Sequence, residues 1–161
     1  MIRPAVEADI PALLAIWNPV IRETTIIFAS ELKTAEGVST MIAARRAAGR
    51  EFLVWDEGGA ILGFASYDQF RGGDGYATAM EHTVMLAPGA RGRGIGRALM
   101  KVVEDLARAA GAHTMHAGVS GENVEAIAFH QRVGYREVGR VPESGRKFGR
   151  WLDLVILQKV L

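Results

Sequence analysis

The sequence predicts a mixed α/β fold in a single domain spanning residues 1–161, and three observations carry that expectation. Apolar runs of strand length alternate with stretches whose apolar residues recur at three- and four-residue steps. No linker, repeat or low-complexity tract interrupts the alternation. With 161 residues, one domain is long enough to bury roughly 70 % of its surface on folding. The expected architecture is a mixed sheet of about seven strands flanked by about four helices.

In chain order, Ile2 to Val6 reads as a short strand. Asp9 is placed to cap a helix with Pro11 in its first turn, its apolar side carrying Ile10, Leu13, Leu14, Trp17 and Ile21. Thr34 or Ala35 opens a second helix that ends at Gly49. Glu51 to Trp55 and Ile61 to Tyr67 form a hairpin around Glu57-Gly58-Gly59, and Phe70 to Tyr76 is a glycine-rich loop. Glu81 to Ala87 is the fourth strand, and Pro88-Gly89 closes it. Ile95, Leu99, Val102, Leu106 and Ala109 mark one face of a long helix. His113 to Val119 is a fifth strand and Glu122 to Arg132 a helix; Tyr135 to Val141 and Trp151 to Leu161 close the fold as strands.

Composition narrows the function classes. A formal net charge of +1 gives no general field toward nucleic acid or membrane, so neither is an expected partner. The absence of cysteine removes disulfides, thiolate ligands and a cysteine nucleophile, which fits a cytoplasmic protein. Met1 to Asp9 has no apolar signal core, and no apolar run approaches transmembrane length. His113 and His116 stand an odd number of residues apart on one strand, so they face opposite sides and no metal site is expected.

The run Arg91-Gly-Arg-Gly-Ile-Gly-Arg97 places its charge where a helix disfavours it. Arg91, Arg93, Arg97 and Lys101 crowd a helix N-terminus already made positive by unpaired N–H groups. Arg93/Arg97 and Arg97/Lys101 are also like-charge pairs one turn apart. A bound polyanion turns that arrangement into a site, and Gly92, Gly94 and Gly96 let backbone N–H groups approach phosphate closely. A P-loop needs Lys-Ser or Lys-Thr after its glycines, which this run lacks. A dinucleotide fingerprint needs the spacing G-x-G-x-x-G and an acidic residue about 20 positions on, and neither is present. The alternative is an RNA-contacting glycine–arginine run or a simple turn.

Arg91, Gly94 and Gly96 satisfy the pattern [Q/R]-x-x-G-x-[G/A], which resembles the pyrophosphate loop of the GNAT superfamily of N-acetyltransferases. A second constellation follows about 30 residues later. Asn123, Ala126, Phe129, His130, Gly134 and Tyr135 resemble the N-x-x-A-x-x-[LF]-[YH]-x-x-x-G-[FY] signature of the same superfamily. Read locally, that stretch is a helix capped by Asn123 and ended by Gly134. The resemblance implies an acyl-CoA N-acyltransferase fold with acetyl-CoA as co-substrate. It implies pyrophosphate contacts from Arg91, Gly92, Arg93, Gly94, Ile95, Gly96 and Arg97, and a pantetheine contact from Asn123. It also implies that the fourth strand bulges and frees N–H groups at Val84, Met85 and Leu86 for the thioester carbonyl.

Within that superfamily the chain is similar, nearly end to end, to the phosphinothricin and methionine sulfoximine N-acetyltransferases. The resemblance rests on Ile2-Arg3-Pro4-Ala5, Phe70-Arg71 with Asp74-Gly75-Tyr76, Glu81-His82-Thr83-Val84, His130, and Lys147 to Asp153. Met80, Met85-Leu86 and Ile27-Phe28-Ala29-Ser30 depart from the usual pattern. The implied activity is transfer of acetyl to the α-amine of a small amino acid such as methionine sulfoximine, methionine sulfone or phosphinothricin, in a homodimer.

Such chemistry needs a base for the acceptor ammonium, donors for an oxyanion and an acid for the departing thiolate. Glu81, mid-strand, is the expected base, and His130 the expected acid. His82 alternates with Glu81, so it faces the other side, and reads as a packed or surface histidine. Arg71, Lys147 and Arg150 are expected to hold acceptor oxyanions, with Phe28, Tyr76 and Trp151 as apolar walls beside Asp74 and Gly75. Two further readings stand: the same chemistry on a protein N-terminus, polyamine or aminoglycoside, and a non-catalytic acyl-CoA-binding or RNA-contacting module.

Overall fold

The computed structural model describes all 161 residues. Strand β1 (Ile2–Pro4) leads through a 3-10 turn (Glu7–Asp9) into helix α1 (Ile10–Glu23), followed by α2 (Ala35–Ala47). Then come β2 (Phe52–Glu57), β3 (Ala60–Gln69), a 3-10 turn (Asp74–Tyr76), β4 (Ala79–Leu86), α3 (Ile95–Ala109), β5 (Thr114–Ser120), α4 (Val124–Arg132), β6 (Arg136–Lys147) and β7 (Arg150–Val160). The seven strands form one sheet in the order β1-β2-β3-β4-β5-β7-β6. Only β4 and β5 are parallel.

Strand alternation divides the core into two layers. Leu53, Ala65, Tyr67, Met80, Met115, Ala117 and Val119 meet Ile95, Leu99, Met100 and Val103 of α3 in a cluster of 17 buried residues. On the opposite face Phe52, Val54 and Phe64 meet Leu13, Trp17 and Ile21 of α1 and Val38 and Ile42 of α2 in a cluster of 11. Trp17 lies 4.9 Å from Phe64, which stacks on Phe52 at 5.3 Å between ring centroids. Even-numbered β4 residues therefore face α3 and α4, and odd-numbered ones face α1 and α2.

Several local expectations need correcting. Asp9 does not cap α1 with its side chain; its carboxylate accepts from Arg3 at 2.7 and 2.8 Å and from the Val6 N–H at 2.8 Å, bracing the turn before the helix. Strand β6 continues past Val141 to Lys147 through a register shift between Val141 and Gly145, where Glu143 has φ 52°. An irregular segment inside a long edge strand carries no alternation to read. Elsewhere the turn signals operate as written. Thr34 Oγ1 accepts from the Gly37 N–H at 3.1 Å. Gly134, at φ 98°, ends α4 with Tyr135 N–H donating to His130 O at 2.9 Å, which seats Tyr135 beside that histidine. No helix is long and apolar enough to cross a membrane.

Candidate active site

The site begins where the sheet comes apart. β4 pairs with β5 only from Ala79↔Thr114 to Glu81↔His116, although β4 runs on to Leu86 and β5 to Ser120. β5 turns instead to β7, which it matches from Thr114↔Val160 to Ser120↔Leu154. Meanwhile β4 stays in unbroken register with β3 from Gln69↔Met80 to Gly63↔Leu86. The expected bulge in β4 is absent, and the parting of β4 from β5 does the equivalent work. Phe70 N–H donates to Ala79 O, and Ala87 N–H donates to Leu62 O. In an antiparallel ladder these two bonds assign the N–H groups of odd-numbered β4 residues to β3. The Met85 amide is thus committed to β3, while those of Val84 and Leu86 point into the gap.

A cavity of about 430 Å³ occupies this gap and reaches both faces of the sheet. Glu81, Thr83 and Met85 line it from one face, and His82, Asn123, Ala126 and His130 from the other. Phe28, Trp17, Lys33, Arg45 and Asp68 complete the first side. The parting of the strands lets Glu81 and His130 share one space despite facing opposite ways.

Glu81 is half-buried, and burial pushes its carboxyl above the usual range, partly offset by the backbone N–H of Gly118. Gly118 leaves room for this carboxylate, because a Cβ at that position would lie 2.8 Å from Glu81 Oε1 and displace it.

His82 and His130 are both buried, and their Nε2 atoms lie 3.1 Å apart. His130 Nδ1 lies 2.7 Å from the Ala126 carbonyl oxygen, which can only accept, so Nδ1 carries the hydrogen. In the neutral pair His130 Nε2 is then the acceptor and His82 Nε2–H the donor, leaving His82 Nδ1 a buried lone pair with no partner. Burial lowers both imidazoles, and the neighbouring His130 lowers His82 further. Tyr135 sets its ring edge against each, at 5.6 and 5.4 Å between centroids. His82 is thus packed, as read from sequence, but its contact with His130 is one that sequence reasoning missed. The available signal was parity, since even-numbered β4 residues share the face covered by α4.

At the far end of β4 the glycine–arginine run turns into α3. Gly94, in the left-handed region at φ 79°, is the N-cap and supplies no side-chain acceptor, so the first N–H groups of α3 stay open. Gly92 and Gly94 face open space. Gly96 is buried against Phe129, where an added Cβ would sit 3.4 Å from Cζ. Two of the arginines are not uncompensated, as the sequence alone suggested: Arg91 pairs with Glu125 at 3.2 Å and Arg93 with Glu57 at 2.9 Å, both pairs exposed. Such exposed pairs are worth little and exchange readily for a phosphate. The open amides, the left-handed glycines and the movable cations fit a pyrophosphate. Asn123 uses its side-chain oxygen to cap α4, accepting from Ala126 N–H at 3.1 Å.

Of the expected acceptor residues, Phe28 alone lines the cavity, its ring pressed against Gly145. Arg71 packs over the Tyr76 ring at 5.5 Å in an exposed loop with Asp74 and Gly75, away from the cavity within this chain. Trp151 is exposed beneath Arg146, and Arg150 pairs with Glu122. Lys147 is a correction: it is buried, and its ammonium donates to Ile21 O and Ile27 O at 2.6 Å each, so it holds the segment bearing Phe28 rather than offering a free cation. The cations that do line the cavity, Lys33 and Arg45, come from a loop and a helix face with no motif to mark them.

The pattern of the acetyltransferase (GNAT) family matches residues 17–135. A relative from Pseudomonas aeruginosa named L-methionine sulfoximine/L-methionine sulfone acetyltransferase is 37 % identical, covering 98 % of this chain and 92 % of its own length. A solved structure from Brucella melitensis, named ribosomal-protein-alanine N-acetyltransferase, superposes with TM-score 0.96 at 40 % identity over 100 % of this chain and 99 % of that one. The acetyltransferase yncA from Salmonella typhimurium, solved with its cofactor acetyl-CoA, gives TM-score 0.95 at 35 % identity over 100 % of this chain and 93 % of that one.

Proposed function

The chain belongs to the acetyltransferase (GNAT) family and is an acetyl-CoA-dependent N-acetyltransferase, and from that premise we propose that it acetylates the α-amine of a small free amino acid. Methionine sulfoximine, methionine sulfone and phosphinothricin represent the acceptor class. The observation that carries this reading is the cavity itself, whose lining sets the cations Lys33 and Arg45 beside the two carboxylates Glu81 and Asp68 instead of a run of carboxylates alone. A polyamine or an aminoglycoside would bring several positive charges to Lys33 and Arg45. A peptide N-terminus lacks the α-carboxylate that those cations suit.

Glu81 takes the proton from the acceptor ammonium, directly or through water, burial having raised its affinity for protons above that of an ordinary carboxylate. The Val84 and Leu86 amides, pointing into the gap between β4 and β5, stabilise the charge that develops on the thioester oxygen. Arg91, Arg93, Arg97 and the Gly92–Gly96 amides, Ile95 included, hold the pyrophosphate, and Asn123 flanks the pantetheine arm. His130 gives a proton to the departing sulfur when the imidazole pair carries one proton beyond its neutral complement. Met85 contributes as a side-chain wall.

The assembly proposed is a homodimer. Tyr76, Phe148 and Trp151 are 42, 58 and 58 % exposed, and two of them lie under arginines. Burial against a second copy brings Arg71, Asp74, Gly75, Tyr76, Arg150 and Trp151 toward the acceptor side. The test of the function is thiol release from acetyl-CoA over an acceptor panel. Methionine sulfone should far outpace methionine, spermidine and peptide N-termini; equal rates on methionine and its sulfone, or a preference for spermidine or peptide, would overturn the acceptor assignment.

A further inference from the structure

We infer that Lys33 and Arg45 form the subsite that binds the acceptor's α-carboxylate, and so select free amino acids over amines that lack it. The inference rests on the reading that the acceptor is a small amino acid.

Asp68 on β3 is the direct cross-strand partner of Glu81 on β4, and their side chains share the face toward α1 and α2. Two adjacent carboxylates would ordinarily make this an amine trap for polycations. Here Arg45 and Arg50 both pair with Asp68, so its charge is more than neutralised. Arg45 also lines the cavity, and its Nε is buried with no hydrogen-bond partner in the chain. A buried donor without a partner is costly, which marks it as waiting for an acceptor atom.

Lys33 lines the same cavity with no carboxylate within ion-pair reach. Its ammonium lies 5.1 Å from the Trp17 ring centroid. The backbone of Lys33 is clamped by one asparagine: Asn18 Nδ2 donates to Lys33 O at 3.0 Å, and Lys33 N–H donates to Asn18 Oδ1 at 2.9 Å. A surface lysine seldom has its main chain fixed from both sides. This one is held in place, with its side chain laid along an aromatic wall into the cavity.

The geometry of an amino acid then supplies the occupant. Its ammonium and carboxylate hang from a single carbon, so an ammonium presented to Glu81 brings the carboxylate within a few ångströms of the same carboxyl group. Unless a cation stands there, the two anions repel. Arg45, which touches the residue paired with Glu81, and Lys33, which lines the same cavity, are the cations available. A sulfonyl or phosphinyl oxygen lies farther out along the side chain, and the α-carboxylate is the group that must be close.

The test is steady-state kinetics of wild type, Lys33→Met and Arg45→Met with methionine sulfone and with its methyl ester, which keeps the amine and the sulfone but not the carboxylate. With the free acid, each variant should raise KM roughly 10- to 100-fold, the range expected for losing one hydrogen bond to a charged group. With the ester, the variants should differ little from wild type, and KM for acetyl-CoA should stay constant throughout. Arg45→Lys, which retains the charge beside Asp68, should recover part of the loss and separates anion binding from damage to the fold. Equal penalties on acid and ester would place the two cations at the sulfonyl oxygens and overturn the carboxylate subsite alone. Failure of wild type to acetylate either compound while it turns over another amine would overturn the acceptor reading and this subsite with it.

Discussion

His82 Nε2 and His130 Nε2 meet at 3.1 Å across the space between β4 and α4, in a pair whose only other ring hydrogen bond is from His130 Nδ1 to Ala126 O. That bond dictates the tautomers of both rings. It also means that neutral His130 has no proton to give from Nε2.

The pH profile follows from this. In the proposed mechanism Glu81 must be ionised while the imidazole pair is protonated, yet burial pushes Glu81 up and the histidines down. The two limbs are drawn together, so kcat/KM should trace a narrow bell whose optimum lies below the ordinary histidine pKa of about 6.5. Activity falls on the acid side as Glu81 takes a proton and on the alkaline side as the pair loses one. His130→Phe should lower turnover and remove the alkaline limb; a profile unchanged by that substitution would exclude the pair from proton transfer.

Glu81→Gln keeps the shape and removes the proposed base, and turnover should fall on the order of 10²-fold or more while acetyl-CoA affinity barely moves. The same variant predicts a stability change of opposite sign. A carboxyl whose folded pKa is raised favours the fold while protonated, and that advantage is lost as pH rises through the raised value. Glu81→Gln should therefore melt higher than wild type at neutral pH, and the gap should close in acid. Calorimetry at the two pH values checks both parts.

Gly118→Ala would bring a Cβ to 2.8 Å from Glu81 Oε1, and the yielding atom is the end of a flexible side chain. The fold should survive with a small change in Tm, while kcat drops because the carboxylate is displaced. A folded Gly118→Ala enzyme with wild-type kcat would show that Glu81 needs no fixed position.

At the cradle, Gly94→Val places a β-branched residue at φ 79° in front of the open α3 amides. Acetyl-CoA binding measured by calorimetry should weaken sharply, and added salt should weaken wild-type binding as well. Glu57→Gln, which releases Arg93 from its exposed pair, should tighten binding by a small factor at low salt. Undiminished affinity in a folded Gly94→Val protein would move the pyrophosphate elsewhere.

What the sequence by itself determined was everything encoded within a few consecutive residues. Strand and helix periodicities, the Thr34 cap, the Gly134 stop and the glycine–arginine run before α3 are each local, because backbone geometry and orphan N–H groups make demands on their immediate neighbours. Glu81 and His130 were legible through motifs of that kind. The tertiary structure alone decided what meets across the chain: His82 with His130 at a separation of 48 residues, Glu81 over Gly118, Arg45 against Asp68, and Lys147 spent on two carbonyls instead of a ligand. Those contacts depend on where β4 leaves β5, and on strand register. Strand alternation states which side a residue faces, but only the packed sheet and its helices determine what stands opposite.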